Sequence, residues 1–192
     1  MICIIPARGG STRIPRKNIK LFYGRPIISY SIETADKSGL FSDIVVSTED
    51  LEISAIAQQF GAKIFLRKYS LAVNDIGTQE VVANVLSEIH EPINNIACCI
   101  YPCSPLLSVE DLRRGLDMLQ SSRQVLYSYS TDKKGNDAGS FYWGYVHAFI
   151  RNKPLEGNSI FVPIECDRVC DINTPEDFSR AEKMYGALHG NK

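Results

Sequence analysis

With 192 residues, 44% of them apolar and 22% charged, the chain has the length and composition of one ordinary globular domain spanning 1–192. A net charge of −1 excludes a general electrostatic trap for nucleic acid or anionic membrane. No apolar run reaches the length of a transmembrane span, and the first residues read as a strand rather than a signal peptide, so a cytoplasmic protein is expected.

Residues 2–5 predict a short, fully buried first strand. A glycine turn and a cluster of cations follow at once. Gly9 and Gly10 permit a tight turn with N–H groups aimed at an anion. Arg8, Arg13, Arg16 and Lys17 place four positive side chains on one loop, about the charge needed to meet a triphosphate. No Gly-Lys-Ser/Thr follows, so this is not a Walker A loop, and it is not the dinucleotide G-x-G-x-x-G. The competing reading is a loop that is basic only because it is solvated.

Strand and helix signals then alternate. Residues 44–47 predict a second strand. A helix over 51–60 carries Ile53, Ile56, Ala57 and Phe60 at helical spacing, with Gly61 as its stop. Residues 63–66 predict a third strand. A helix over 77–90 places Val81, Val82, Val85, Leu86 and Ile89 on one face, ended by Pro92. Residues 96–101 read as a buried strand. Ser108 caps a helix with acids in its first turn. Strands are expected at 124–130, 141–143 and 159–164, with a polar turn at 131–136. A last helix spans 174–188, with Thr174 as N-cap and Pro175 at its first position.

Strands separated by helices imply right-handed crossovers, a mostly parallel sheet and an α/β fold, with ligands beyond the carboxyl ends of the strands. Three polar segments follow strand ends: 8–18, 47–50 and 102–105. The middle one reads as a helix N-cap. The six cysteines form no C-x-x-C pair and the three histidines are scattered, so free buried thiols and no zinc site are expected.

The runs IIPARGGS at 4–11 and IPRKN at 14–18 resemble the first motif of the CMP-sialic acid synthetase family. YSIE at 30–33, VST at 46–48, FLR at 65–67 with LA at 71–72, and RVCDINTPED at 168–177 follow in that family's order. IYPCSP at 100–105 and DAGSFYWG at 137–144 are most similar to the branch that activates pseudaminic acid. The resemblance covers nearly the whole chain. It implies a three-layer α/β/α Rossmann-like nucleotidyltransferase fold. It also implies a reaction in which CTP and a nonulosonic sugar acid give a CMP-sugar and pyrophosphate.

On this resemblance Arg8, Lys17 and Asp171 are the catalytic candidates. Ala7, Arg8, Gly9, Gly10, Ser11, Arg13, Asn18, Arg67 and Ala72 would bind the nucleotide. Tyr101, Ser104, Asp137, Phe141 and Tyr142 would line the sugar side. Asp171 and Asn173 would hold Mg2+. The partners implied are CTP and the sugar acid, not nucleic acid or membrane. Read without the resemblance, Asp171 is equally a surface acid, Arg67 a solvated strand-end charge, and Phe141 and Tyr142 core residues.

The chain departs from the family in four places. Thr12 stands where lysine is usual, Asn173 where a second aspartate is usual, and Asn74 where aspartate is frequent. Between Ser130 and Asp137 only six residues replace several dozen, including the arm that pairs two subunits. That loss leaves a homodimer in doubt. The alternatives are a non-catalytic nucleotide-binding relative, or an enzyme for sialic acid or a KDO-type sugar.

Overall fold

The computed structural model describes residues 1–72 and 76–190, and among these described residues nine strands and six α-helices follow one another. Strand β1 (Ile2–Pro6) leads through the cationic loop to a small hairpin, β2 (Leu21–Phe22) and β3 (Arg25–Pro26), and to helix α1 (Ile28–Ser38). Then come β4 (Asp43–Thr48), α2 (Leu51–Gln59), β5 (Lys63–Leu66), α3 (Thr78–Glu88) and β6 (Ile96–Ile100). The second half holds α4 (Val109–Ser121), β7 (Tyr127–Thr131), β8 (Asp137–Tyr145), α5 (Val146–Ile150), β9 (Ser159–Pro163) and α6 (Pro175–His189).

Seven strands join one sheet in the order β5-β4-β1-β6-β8-β7-β9. The β1, β4, β5 and β6 ladders are parallel, as is β7 with β9. Only β8 runs against its neighbours β6 and β7. Its register, Ile100 opposite Phe141, puts the first residue of β8 just beyond the carboxyl end of β6. The amino end of β8 and the carboxyl ends of the other six strands therefore share one edge of the sheet.

Alternation along the strands builds a core on each face. Cys3, Ile5, Cys98, Ile100, Phe141 and Trp143 pack against α1, α2 and α4. Ile2, Ile4, Ala97, Cys99 and Tyr142 pack against α3 and α5 on the other face. A third cluster, with Ile14, Phe22, Tyr30, Cys103, Ile172 and Phe178, lies beneath the cationic loop and seats the β2–β3 hairpin on α6. All six cysteines are free, five of them buried. Among the described residues no helix is long and apolar enough to cross a membrane.

Differences from the sequence expectations have local causes. Helix α3 stops at Glu88, two residues early, because His90 takes a left-handed conformation, and Ile89 is left partly exposed. Strand β8 is nine residues long, not three, since Gly139 and Gly144 lie inside it rather than in turns. Strand β7 begins at Tyr127, three residues late. Helix α1 carries three buried serines, Ser29, Ser31 and Ser38, which dilute its apolar stripe. The cap of α6 matches expectation: Thr174 Oγ1 accepts from Asp177 N, and the Asp177 carboxylate accepts from Thr174 N. Asn74 lies outside the described residues.

Candidate active site

A cleft of about 350 Å3 opens at the shared sheet edge, a size suited to a small organic ligand. Arg8, Ser11, Thr12, Arg13, Lys17 and Asn18 line it from the loop after β1. Arg67, Leu71, Ile76, Thr78 and Val81 form one wall, and Tyr101, Asp137, Gly139, Asp171, Ile172 and Asn173 another. Residues from five separate parts of the sequence thus converge where an α/β sheet keeps its ligand.

The loop is braced from below. Asn18 is buried, and its carboxamide donates to the Arg8 carbonyl at 2.8 Å and accepts from the Cys103 thiol at 3.2 Å. Burial pushes that thiol up to about 12, with Lys17 pulling weakly the other way. Lys17 Nζ donates to the Ile172 carbonyl at 2.6 Å, so its ammonium stands beside the Asp171–Asn173 segment.

The four cations of the loop do not act together. Arg16 has left-handed backbone and turns away, pairing with Asp50 and Glu52 on α2. Those hydrogen bonds, Asp50 first, hold its guanidinium above the ordinary range. Arg8, Arg13 and Lys17 are left to face the cleft. The glycine turn also differs from a phosphate cradle. Gly9 N–H points to Glu49 Oε1 at 2.7 Å, and Ser11 N–H to the Gly9 carbonyl at 3.0 Å. Gly9 is glycine because a Cβ there would run into the Asp50 carboxylate.

On the acidic wall, Asn173 bridges two charges: its amide N–H donates to Asp171 and its oxygen accepts from Arg13 at 3.3 Å. Asp137 accepts from Gly139 N–H at 2.8 Å. Desolvation by the surrounding walls raises the Asp137 carboxyl above its ordinary range, and Asp171 adds to the rise. Among the described residues no group of three or more His, Cys, Asp or Glu could hold a metal ion by itself.

Seven residues expected at the site do not line the cleft, Gly9 among them. Phe141 and Tyr142 are core side chains on opposite faces of β8. Ser104 is buried, with its hydroxyl directed at the Gly139 and Ser140 carbonyls. Ala7 is fully buried in the core, and Gly10 is exposed outside the cleft lining. Ala72 follows the lining residue Leu71 without lining the cleft itself. The sequence reads the segment 47–50 as a cap alone. Asp50 does cap α2, accepting from Glu52 N and Ile53 N, but Glu49 was missed. The available signal was two adjacent acids at a strand end, in a chain whose first strand ends in cations.

A family model described as cytidylyltransferase matches residues 2–183. The chain belongs to the cytidylyltransferase family. It is 35% identical over 229 aligned positions to the pseudaminic acid cytidylyltransferase of Campylobacter jejuni, covering 98% of this chain and 97% of that protein. To the CMP-N,N'-diacetyllegionaminic acid synthase of Legionella pneumophila it is 27% identical, covering 96% and 95%. The solved structure of CMP:2-keto-3-deoxy-manno-octonic acid synthetase complexed with CTP shares the fold, with TM-score 0.75 at 14% identity, covering 97% and 98%. Since the Campylobacter alignment spans 229 positions and this cytidylyltransferase has 192 residues, at least 37 positions have no residue here. The β7–β8 connection of this cytidylyltransferase is tight. Asp132 closes it by accepting from Lys134 N and from Asn136 N and Nδ2.

Proposed function

We propose that this cytidylyltransferase transfers the CMP group of CTP to a nonulosonic sugar acid of the pseudaminic type and releases pyrophosphate. The observation that carries the reading is the cleft itself, where Arg8 and Lys17 stand with Asp171. The 35% identity with a pseudaminic acid cytidylyltransferase supports the choice of sugar.

In this reading the sugar hydroxyl oxygen attacks the α-phosphorus, and the bond from that phosphorus to the α–β bridging oxygen breaks. Arg8 and Lys17 stabilise the charge that gathers on the departing pyrophosphate, in a site where their positions need no reorganisation. Arg67 reads the base: it is 6% exposed, lines the cleft, and its Nε–H has no partner among the described residues. A buried donor left unmatched in this way suits a ligand acceptor. Ser11 and Asn18 flank the nucleoside, and Tyr101 with Asp137 borders the sugar.

A divalent ion fits the acidic wall, because Mg2+ typically takes one or two carboxylates and completes its shell with phosphate oxygens and water. Asp171 would hold it, with Asp137 facing the same space, whereas Asn173 spends its carboxamide between Asp171 and Arg13. Bound there, the ion would neutralise phosphate charge as the new bond forms.

Pyrophosphate release from CTP and Mg2+ tests the reading, with pseudaminic acid, N-acetylneuraminic acid and a KDO-type acid compared. Fastest turnover with pseudaminic acid is expected. No release with any of the three overturns the catalytic reading, and a faster rate with another acid overturns the choice of sugar.

A further inference from the structure

Glu49 sits at a junction set by the sheet order. Strand β4 lies between β1 and β5, so the residue after its last position faces both the loop that leaves β1 and the end of β5. Each carboxylate oxygen takes one of these neighbours. Oε1 accepts from Gly9 N–H at 2.7 Å, and Oε2 accepts from Arg67 Nη2 at 2.9 Å. The pair is enclosed, with side-chain exposures of 10% for Glu49 and 4% for Arg67. Arg67 lines the cleft and Glu49 does not, so the carboxylate stands behind the guanidinium.

We infer that Glu49 is the positioning residue for nucleobase selection, holding Arg67 so that its Nε–H, unpartnered among the described residues, is presented to the base. This rests on the proposed CTP site and deepens it. An arginine offers only donors. Cytosine presents acceptors at N3 and O2, whereas uracil carries a hydrogen on N3. A guanidinium fixed in one orientation therefore distinguishes the two bases, and a guanidinium free to swing distinguishes them less. Arg67 has long rotamer freedom to lose, and the buried bond to Glu49 removes it before ligand arrives.

The same carboxylate ties down Gly9, next to the Arg8 that faces the cleft. Base wall and cationic loop are thus joined through one side chain. Asp50, the next residue, grips the far end of that loop through Arg16. A bond between Gly9 and Glu49 needs only an acceptor, whereas the bond to Arg67 needs a negative charge for its full strength. Glu49→Gln separates the two roles: it keeps the shape and one acceptor oxygen for Gly9 N–H, and turns its NH2, a donor without charge, toward the Arg67 guanidinium, so the bond to Arg67 is the one lost.

The experiment is calorimetric binding of CTP, UTP and inorganic tripolyphosphate to wild type, Glu49→Gln, Arg67→Ala and the double variant, with melting temperatures recorded. Wild type is expected to prefer CTP. Glu49→Gln should weaken CTP about tenfold, the scale of a charge-assisted hydrogen bond, and narrow the CTP:UTP preference by a similar factor. Tripolyphosphate affinity should change less than about twofold, as the Gly9 acceptor remains. The double variant should be no less selective than Arg67→Ala, since Glu49 acts through Arg67. Should Glu49→Gln fail to fold, Glu49→Asp replaces it, and a CTP:UTP preference kept by that shortened carboxylate at wild-type level overturns the inference. Equal losses for CTP, UTP and tripolyphosphate, or an unchanged CTP:UTP ratio in Glu49→Gln, overturn it as well. A wild type that binds neither nucleotide overturns the CTP reading itself, and this inference with it.

Discussion

Gly139 and Asp171 are in contact: a Cβ built on Gly139 would fall 2.8 Å from Asp171 Cγ, and Gly139 has φ of +62°. An alanine there meets two obstacles, left-handed backbone and a carboxylate that must move. The backbone term alone costs roughly 1–2 kcal/mol. Displacing Asp171 from the cleft wall should cost activity on the order of 10²-fold, the penalty for misplacing a reacting group by an ångström. Gly139→Ala is therefore expected to lose far more in kcat than in melting temperature, measured by pyrophosphate release and circular dichroism.

Lys17→Ala removes an ammonium that borders the acidic wall and faces the cleft. If it stabilises departing pyrophosphate, kcat should fall about 10²-fold or more, with the fold intact. Near-normal turnover in this variant would remove Lys17 from the mechanism.

Acid stability should depend on Asp50. The Arg16 hydrogen bond, with help from the N–H groups of Ile53 and Glu52, lowers its carboxyl from 3.8 to about 2. A depressed folded value gives stability that is complete above the ordinary value and disappears as pH falls through the folded one. The urea midpoint of wild type should drop across that interval. Asp50→Asn keeps an N-cap but no charge for Arg16, so its midpoint should fall less steeply there, and the two proteins should converge near the lower bound.

The thiols should separate by accessibility. Cys103 is 7% exposed and its thiol is held up near 12 by burial, whereas Cys166 is exposed. Thiolate is the reactive form. Iodoacetamide on the native protein at mildly alkaline pH is expected to label Cys166 and spare Cys103, read by peptide mass spectrometry. Labelling of Cys103 at a comparable rate would mean that the Asn18 brace opens in solution.

The sequence carried most of the frame and part of the site. The buried runs of β1 and β6 stood out because both faces of a central strand are covered, which leaves no polar positions to confuse the pattern. The Thr174–Asp177 box was readable because capping is local. Helix α1 was not, because its buried Ser31 spends its hydroxyl on the Tyr101 carbonyl, a partner 70 residues away. In the cleft, Arg8, Lys17 and Asp171 were named from their motifs. Glu49 was not, since its importance comes from the lateral position of β4 beside β1, which chain order does not encode. The resemblance puts Phe141 and Tyr142 on the sugar side, whereas the residues read alone suit a core. Alternation along β8 sends each into a different core.

One reversed strand governs what stands at the doorway. Because β8 runs opposite to β6 and β7, the bend at 132–136 is carried to the same rim as Asp137, rather than to the far side of the sheet. Polypeptide added at that bend would emerge beside the acidic half of the entrance. Only five residues form the bend here, and lengthening it would alter how an incoming molecule approaches without touching the frame beneath.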